Sequence, residues 1–142
     1  MKNKLSIILI LLFSISYCGK PNNEEKSKEE NKPNLGIGPI QSVTLGELDP
    51  QKAKKGKEIF DIKCASCHKM EEKYVGPALK GVTSRRTPEW ILNMILNPEE
   101  MVEKDPVANE LLQTYMAKMV GQGLTEDEAK NVLEYFRETD SK

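Results

Sequence analysis

The sequence contains very little histidine and cysteine. Among its 142 residues, His68 is the only histidine and the cysteines are Cys18, Cys64 and Cys67. One imidazole cannot form a two-histidine metal site, and three cysteines are too few for a disulfide scaffold. The formal net charge is only −1, so the chain lacks the basic excess that would argue for nucleic-acid binding. Apolar residues make up 38% and aromatic residues 6%, which allows one domain with a small core.

The longest apolar run lies at the N-terminus. Lys2 and Lys4 precede residues 5–15, which are apolar except for serines. The run has the length of a signal-peptide core and falls short of the roughly 20 residues that span a bilayer. Cys18 follows as in a bacterial lipobox, although Tyr17 stands where a small residue is usual. We predict a signal peptide over residues 1–18 ending at a lipidated Cys18. The alternative is an ordinary signal peptide or an uncleaved anchor, with Cys18 incidental.

A polar segment follows the signal peptide. Residues 20–32 contain four lysines, four glutamates, three asparagines and no apolar residue. Such a stretch cannot bury enough apolar surface to offset the entropy of ordering it. We therefore predict a flexible tether over residues 19–45 and a folded domain over residues 46–142.

The domain has the sequence pattern of an all-α protein. Asp49-Pro50 predicts the start of a helix that runs into Cys64, because aspartate caps helices and proline favours the first turn. Further helices are predicted over 87–96, 106–115 and 125–138, and Asn97-Pro98 is expected to end the first of these three. The last begins with a capping box at Thr125. No segment alternates with the period of a strand.

Cys64-Ala65-Ser66-Cys67-His68 is the most informative motif. A zinc or iron–sulfur site needs more thiolates or imidazoles than the chain has left, and a redox dithiol normally belongs to a βαβ pattern. A CxxC pair followed directly by histidine indicates covalent attachment of a c-type haem. The two thiols then form thioethers with the haem, and the imidazole of His68 points at the iron.

From about residue 49 to residue 137 the sequence resembles the class I mono-haem cytochromes c. The matching features are Gly56-x-x-x-Phe60, the CxxCH motif, Gly76-Pro77-Ala78-Leu79-x-Gly81, Arg85-Arg86-Thr87-Pro88-x-Trp90, Asn97-Pro98, a methionine before Gln122-Gly123-Leu124-Thr125, and Leu133-x-Tyr135-Phe136. Within the class it is most similar to the lipid-tethered cytochromes c found alongside nitrous-oxide reductases. The resemblance implies about four helices around one covalently bound haem c, with the N- and C-terminal helices crossing.

The resemblance also implies roles for individual residues. His68 is the expected proximal ligand, and the carbonyl of Pro77 would accept a hydrogen bond from its other ring nitrogen. Arg85 and Arg86 are expected to pair with the haem propionates, the alternative being a solvated surface. Trp90 is expected to lie against the haem with its indole N–H at a propionate, and simple core packing is the alternative.

Methionine is the expected sixth ligand of the iron, since there is no second histidine. Met119 lies before the last helix, where the family places its axial methionine. Prolines usually flank that methionine, whereas Lys118 and Val120 flank Met119, so Met116 stands as the alternative.

These observations together favour an electron carrier over an enzyme. The expected protein is tethered at the periplasmic side of the bacterial cell envelope and binds one haem c through His/Met ligation. Its implied partners are a quinol-oxidising donor and, as acceptor, a nitrous-oxide reductase or a terminal oxidase, without nucleic acid. The alternatives are a ligand-binding or peroxidase-like haem protein with an open iron site, and a structural haem subunit of a respiratory complex.

Overall fold

The chain forms a bundle of short helices in residues 32–142, the part that a computed structural model describes. The predicted signal peptide, Cys18 and the first part of the predicted tether lie outside these residues. The six helices are α1 (Pro50–Lys63), α2 (Val82–Arg85), α3 (Pro88–Leu96), α4 (Pro98–Lys104), α5 (Pro106–Tyr115) and α6 (Glu126–Asp140). Residues 32–142 contain no strand, which confirms the all-α prediction. No helix in this range is long and apolar enough to cross a membrane.

The predicted helix starts are confirmed. The side chain of Asp49 accepts hydrogen bonds from the first backbone N–H groups of α1, and Thr87 caps α3 in the same way. Thr125 and Glu128 form the predicted capping box of α6, which continues two residues beyond the expected end, to Asp140. Local side-chain chemistry therefore positions the helix starts, as expected for caps.

Two helices were not predicted from the sequence. Asn97-Pro98 does end α3, but Pro98 also occupies the first position of α4. Proline is well suited to that position because its missing N–H would have no partner within the helix. On α4, the side chain of Met101 is fully buried. The other missed helix is α2, a single turn after Gly81.

Helices α1 and α6 cross in close contact at Gly56. A Cβ atom added to Gly56 would lie 1.8 Å from the backbone oxygen of Asn131, so only glycine fits here. One turn further along α1, the ring centroid of Phe60 lies 5.5 Å from that of Tyr135 and 6.0 Å from that of Phe136. The expected crossing of the first and last helices is thus present, with aromatic packing beside it.

Residues 33–45 pack against α3 and α4, which corrects the prediction that the tether extends to residue 45. We call this segment the N-terminal strap. Its residue Ile40 is only 5% exposed. The buried side chain of Asn93 accepts a hydrogen bond from Ile40 N at 2.9 Å and donates to the carbonyl oxygens of Leu35 and Ile40, each at 2.9 Å. The predicted end of the tether at residue 45 was wrong because Asn93, which binds this segment, lies more than fifty residues away in the chain.

Asp140 joins the end of α6 to the start of α2. Its carboxylate accepts hydrogen bonds from Gly81 N at 2.5 Å, Thr83 N at 3.0 Å and Thr83 Oγ1 at 2.6 Å. Burial alone would raise the pKa of Asp140, but these hydrogen bonds outweigh it and lower the pKa below the ordinary value of 3.8.

Replacing Asp140 with asparagine is expected to lower the free energy of unfolding by about 1–2 kcal/mol at pH 7, because an amide has only one acceptor oxygen. A lowered pKa in the folded state gives a stabilisation that is present above the unfolded-state pKa. This stabilisation is lost when the pH falls through the folded-state pKa of Asp140, which lies below 3.8. Denaturant unfolding of the parent and Asp140→Asn at pH 7 and at pH 3 measures this difference. An equal loss at both pH values, or a loss no larger than that of Asp127→Asn, would contradict it.

Candidate haem site

One apolar cleft contains most of the residues that the sequence singled out. It has about 1400 Å³ of unfilled space, counting its open mouth. Its walls come from the end of α1 and the following loop, from α3 and α5, and from the segment before α6. The candidate site residues along the cleft are Cys64, Cys67, His68, Pro77, Arg85, Arg86, Trp90 and Met119.

The two cysteines lie in the turn that ends α1. Cys64 follows the last residue of the helix, and its carbonyl oxygen accepts hydrogen bonds from Cys67 N at 3.0 Å and His68 N at 2.9 Å. Cys64 is half-buried and Cys67 is exposed, and the two are not joined in a disulfide. Burial, with a smaller contribution from Cys67, raises the pKa of Cys64. The turn therefore places both sulfur atoms and the imidazole along one cleft.

His68 is held in one orientation by the loop that follows it. Its Nδ1 lies 3.1 Å from the carbonyl oxygen of Pro77, to which it donates, and this leaves Nε2 for a metal. A Cβ atom on Gly76 would lie 2.5 Å from His68 Cε1, so the backbone of this loop touches the ring. Burial lowers the pKa of His68, and the hydrogen bond to Pro77 opposes that effect. The imidazole is therefore neutral at pH 7, which is the form that binds a metal.

The two arginines make contacts within the protein, and their expected pairing with the haem propionates stays a prediction. Arg85 donates from Nη1 to the carbonyl oxygen of Lys80 at 2.7 Å and from Nη2 to that of Ala78 at 3.2 Å. The guanidinium of Arg86 lies over the ring of Trp90, 5.3 Å from its centroid. Arg85 thus braces the loop that carries Pro77, while both arginines remain at the cleft.

Trp90 lines the cleft and is 4% exposed. Its indole N–H donates to Asp105 Oδ1 at 3.0 Å. This N–H was expected to reach a haem propionate. In the structure a carboxylate of the protein accepts its hydrogen bond instead. The difference arises because Asp105, at the start of α5, is brought beside α3 by the packing of the helices.

Of the two candidate axial methionines, only Met119 is at the cleft. Met116 follows α5 with a φ of 52°, and it is 86% exposed. Met94 also lines the cleft, from the apolar face of α3. The backbone N–H of Gly121 donates to Glu99 Oε1 at 2.8 Å, which connects the segment carrying Met119 to the first turn of α4.

Sequence reasoning missed the residues that support the site from behind. Asp105 was not singled out, because an aspartate before a proline indicates an exposed helix cap as readily as a buried one. Glu99 was missed because the residue that it contacts is 22 positions away. No local signal in the sequence identifies either contact.

The residues at the cleft fit a covalently attached haem. Two cysteines and one oriented imidazole line it, and the lining includes the apolar side chains Val82, Ile91, Ile95, Val102, Leu111, Leu112 and Phe136. The missing Cβ of Gly76 lets the loop pack on the imidazole. An apolar cleft with a few placed polar groups is the usual form of a cofactor site.

The comparisons with known proteins agree with this fit. Residues 53–140 match the family Cytochrome c. A solved cytochrome c from Rhodothermus marinus is 40% identical, with a TM-score of 0.72 over 73% of this chain and 90% of that one. A cytochrome c-553-like protein of Synechocystis is 33% identical over 36% of this chain and 61% of its own length. A cytochrome c2 of Rhodopseudomonas palustris is 40% identical over 32% of each. The chain thus spans less than two thirds of these last two relatives.

The chain belongs to the cytochrome c family, and its helical bundle is the small class I fold. Its cofactor is therefore one covalently attached haem c.

Proposed function

We propose that this protein is a one-electron carrier whose haem iron is bound by His68 and Met119. The observation that carries the proposal is that one cleft holds the two thiols, the oriented imidazole and Met119, while Met116 lies exposed outside it. A methionine ligand opposite histidine raises the reduction potential and closes the iron to other ligands. Both properties suit a carrier that accepts and releases electrons without binding a substrate.

The protein matrix holds the haem and sets its surroundings. Cys64 and Cys67 fix it covalently, and Pro77 keeps the His68 ring in one orientation through the bond to Nδ1. Apolar side chains from α3 and α5 exclude water from its faces. Bound in this way, the haem supplies the one-electron couple, and little of the protein needs to move as it is reduced.

We propose further that the protein is exported and lipid-anchored at Cys18, on the periplasmic side of a bacterial membrane. The short apolar run of residues 5–15 and the cysteine after it support this assignment. Its donor would then be a quinol-oxidising protein and its acceptor a respiratory reductase or oxidase. The resemblance to cytochromes that accompany nitrous-oxide reductases makes that reductase one candidate acceptor.

The proposal is tested on the full chain matured in a host that attaches haem. We expect a weak far-red sulfur-to-iron band in the oxidised protein, reversible one-electron reduction and no binding of carbon monoxide to the reduced protein. The parent is expected in the membrane fraction and Cys18→Ser in the soluble fraction. A parent that lacks the far-red band and binds carbon monoxide would instead be a ligand-binding or peroxidase-like haem protein.

A further inference from the structure

Asp105 is the only buried charged side chain among residues 32–142, and it is 2% exposed. Its carboxylate accepts three hydrogen bonds: from Asn34 Nδ2 at 2.7 Å, from Trp90 Nε1 at 3.0 Å and from Ala108 N at 2.8 Å. The three donors come from the N-terminal strap, from α3 and from α5. Asp105 therefore joins three parts of the fold at one buried point.

The negative charge of Asp105 has no cationic partner in the described part of the chain. All three of its partners are neutral N–H donors. Three N–H donors suit an ionised carboxylate, which only accepts hydrogen bonds. No lysine or arginine of residues 32–142 forms an ion pair with it. The carboxylate is thus held by dipoles, which stabilise the charge without neutralising it.

The carboxylate lies directly behind the wall of the haem cleft. Trp90 and Ala108, which provide two of its donors, both line the cleft, as does Val102 on the neighbouring helix. Charges separated by buried side chains interact more strongly than charges separated by water, because the interior has a lower dielectric constant. The negative charge of Asp105 therefore lowers the electrostatic potential inside the cleft.

We infer that Asp105 is a positioning residue that lowers the reduction potential of the haem by placing a fixed negative charge behind the cleft wall. The inference rests on the proposed one-electron function. On reduction the iron gains one electron from a redox-protein donor, and no bond is made or broken. The oxidised state is more positive by one unit, so a nearby negative charge favours it over the reduced state. Asp105 also orients Trp90 in the wall through the indole N–H.

The test compares two substitutions in the haem-loaded full chain by potentiometric titration. Asp105→Asn removes the charge and keeps the shape, and we expect the equilibrium constant for reduction to rise about tenfold, equivalent to about 59 mV. Asn34→Ala keeps the charge and removes one of its donors, which leaves more of the charge uncompensated. We therefore expect the Asn34→Ala potential to fall below that of the parent.

The reduction potential is expected to rise in one variant and to fall in the other. Since both substitutions disturb the same cluster of hydrogen bonds, these opposite changes separate an electrostatic role of Asp105 from a structural one. An unchanged or lowered potential in Asp105→Asn, with the far-red band intact, would overturn the inference. If Asp105→Asn does not retain haem, Asn34→Ala decides: a fall supports the inference, and a rise or no change overturns it. A parent without a reversible one-electron couple would refute the proposed function itself, which is a separate result.

Discussion

Met119→Ala is expected to lose the far-red band, to bind carbon monoxide when reduced, and to have a reduction potential lower than that of the parent by more than about 59 mV, a tenfold change in the equilibrium constant for reduction. The reason is that the segment before α6 brings Met119 to the cleft, and its thioether is the proposed sixth ligand. Methionine favours the reduced state relative to water or an open position. Absorption spectra, carbon monoxide titration and potentiometry of the holoprotein measure the three effects.

Met116→Ala is the matched control for this experiment. It removes a methionine three positions away that is 86% exposed and does not line the cleft. Its spectrum, carbon monoxide response and potential are therefore expected to equal those of the parent. A far-red band that disappears in Met116→Ala and persists in Met119→Ala would show that Met116, and not Met119, is the sixth ligand. A band that persists in both would direct attention to Met94, which also lines the cleft.

Gly56→Ala is expected to destabilise the protein by about 3 kcal/mol or more, although alanine normally stabilises a helix relative to glycine by up to about 1 kcal/mol. The added Cβ would lie 1.8 Å from the Asn131 oxygen and 2.4 Å from its carbonyl carbon. Since both atoms belong to the backbone of α6, the two helices must separate. That separation also loosens the packing of Phe60 on Tyr135 and Phe136.

Thermal unfolding of the haem-loaded protein tests this expectation. A loss of that size lowers Tm by roughly 10–20 °C for a domain of about 100 residues. Lys54→Ala is the control, because Lys54 is exposed on the same helix and its replacement is expected to change Tm little. A Gly56→Ala protein as stable as the parent would show that the helices do not need to approach so closely.

The sequence was sufficient to predict the parts of the fold that depend on neighbouring residues. Asp49, Thr87 and Thr125 each bond the first turn of the helix that follows them, so a local pattern identifies each helix start. The spacing of Cys64, Cys67 and His68 is local in the same sense, because one turn brings the three side chains together. The bond between His68 and Pro77 spans nine residues and was predicted only through the family resemblance.

Contacts between distant residues were not predicted. The N-terminal strap follows a polar segment and was assigned to the tether together with it, yet the amide of Asn93 binds its backbone groups and Ile40 is buried. A buried asparagine in a helix that otherwise appears apolar gives no sign of what it binds. The same holds for Asp105. Two of its hydrogen-bond donors lie 71 and 15 residues away in the chain, and the third lies in the first turn of α5, which Asp105 caps. Charge placement in the site was for this reason the least predictable feature.

The crossing of α1 and α6 has a consequence for the order of events when the protein is made. α1 leads directly into the two cysteines, but its main packing partner is the last helix of the chain. In a chain synthesised from its N-terminus the thiols therefore come well before α6, and α1 by itself is too short to be a stable helix in water. During that interval the cysteines are accessible to the attachment machinery on an unfolded segment. We therefore expect α6 to close the bundle last, after the haem has been bonded to the cysteines.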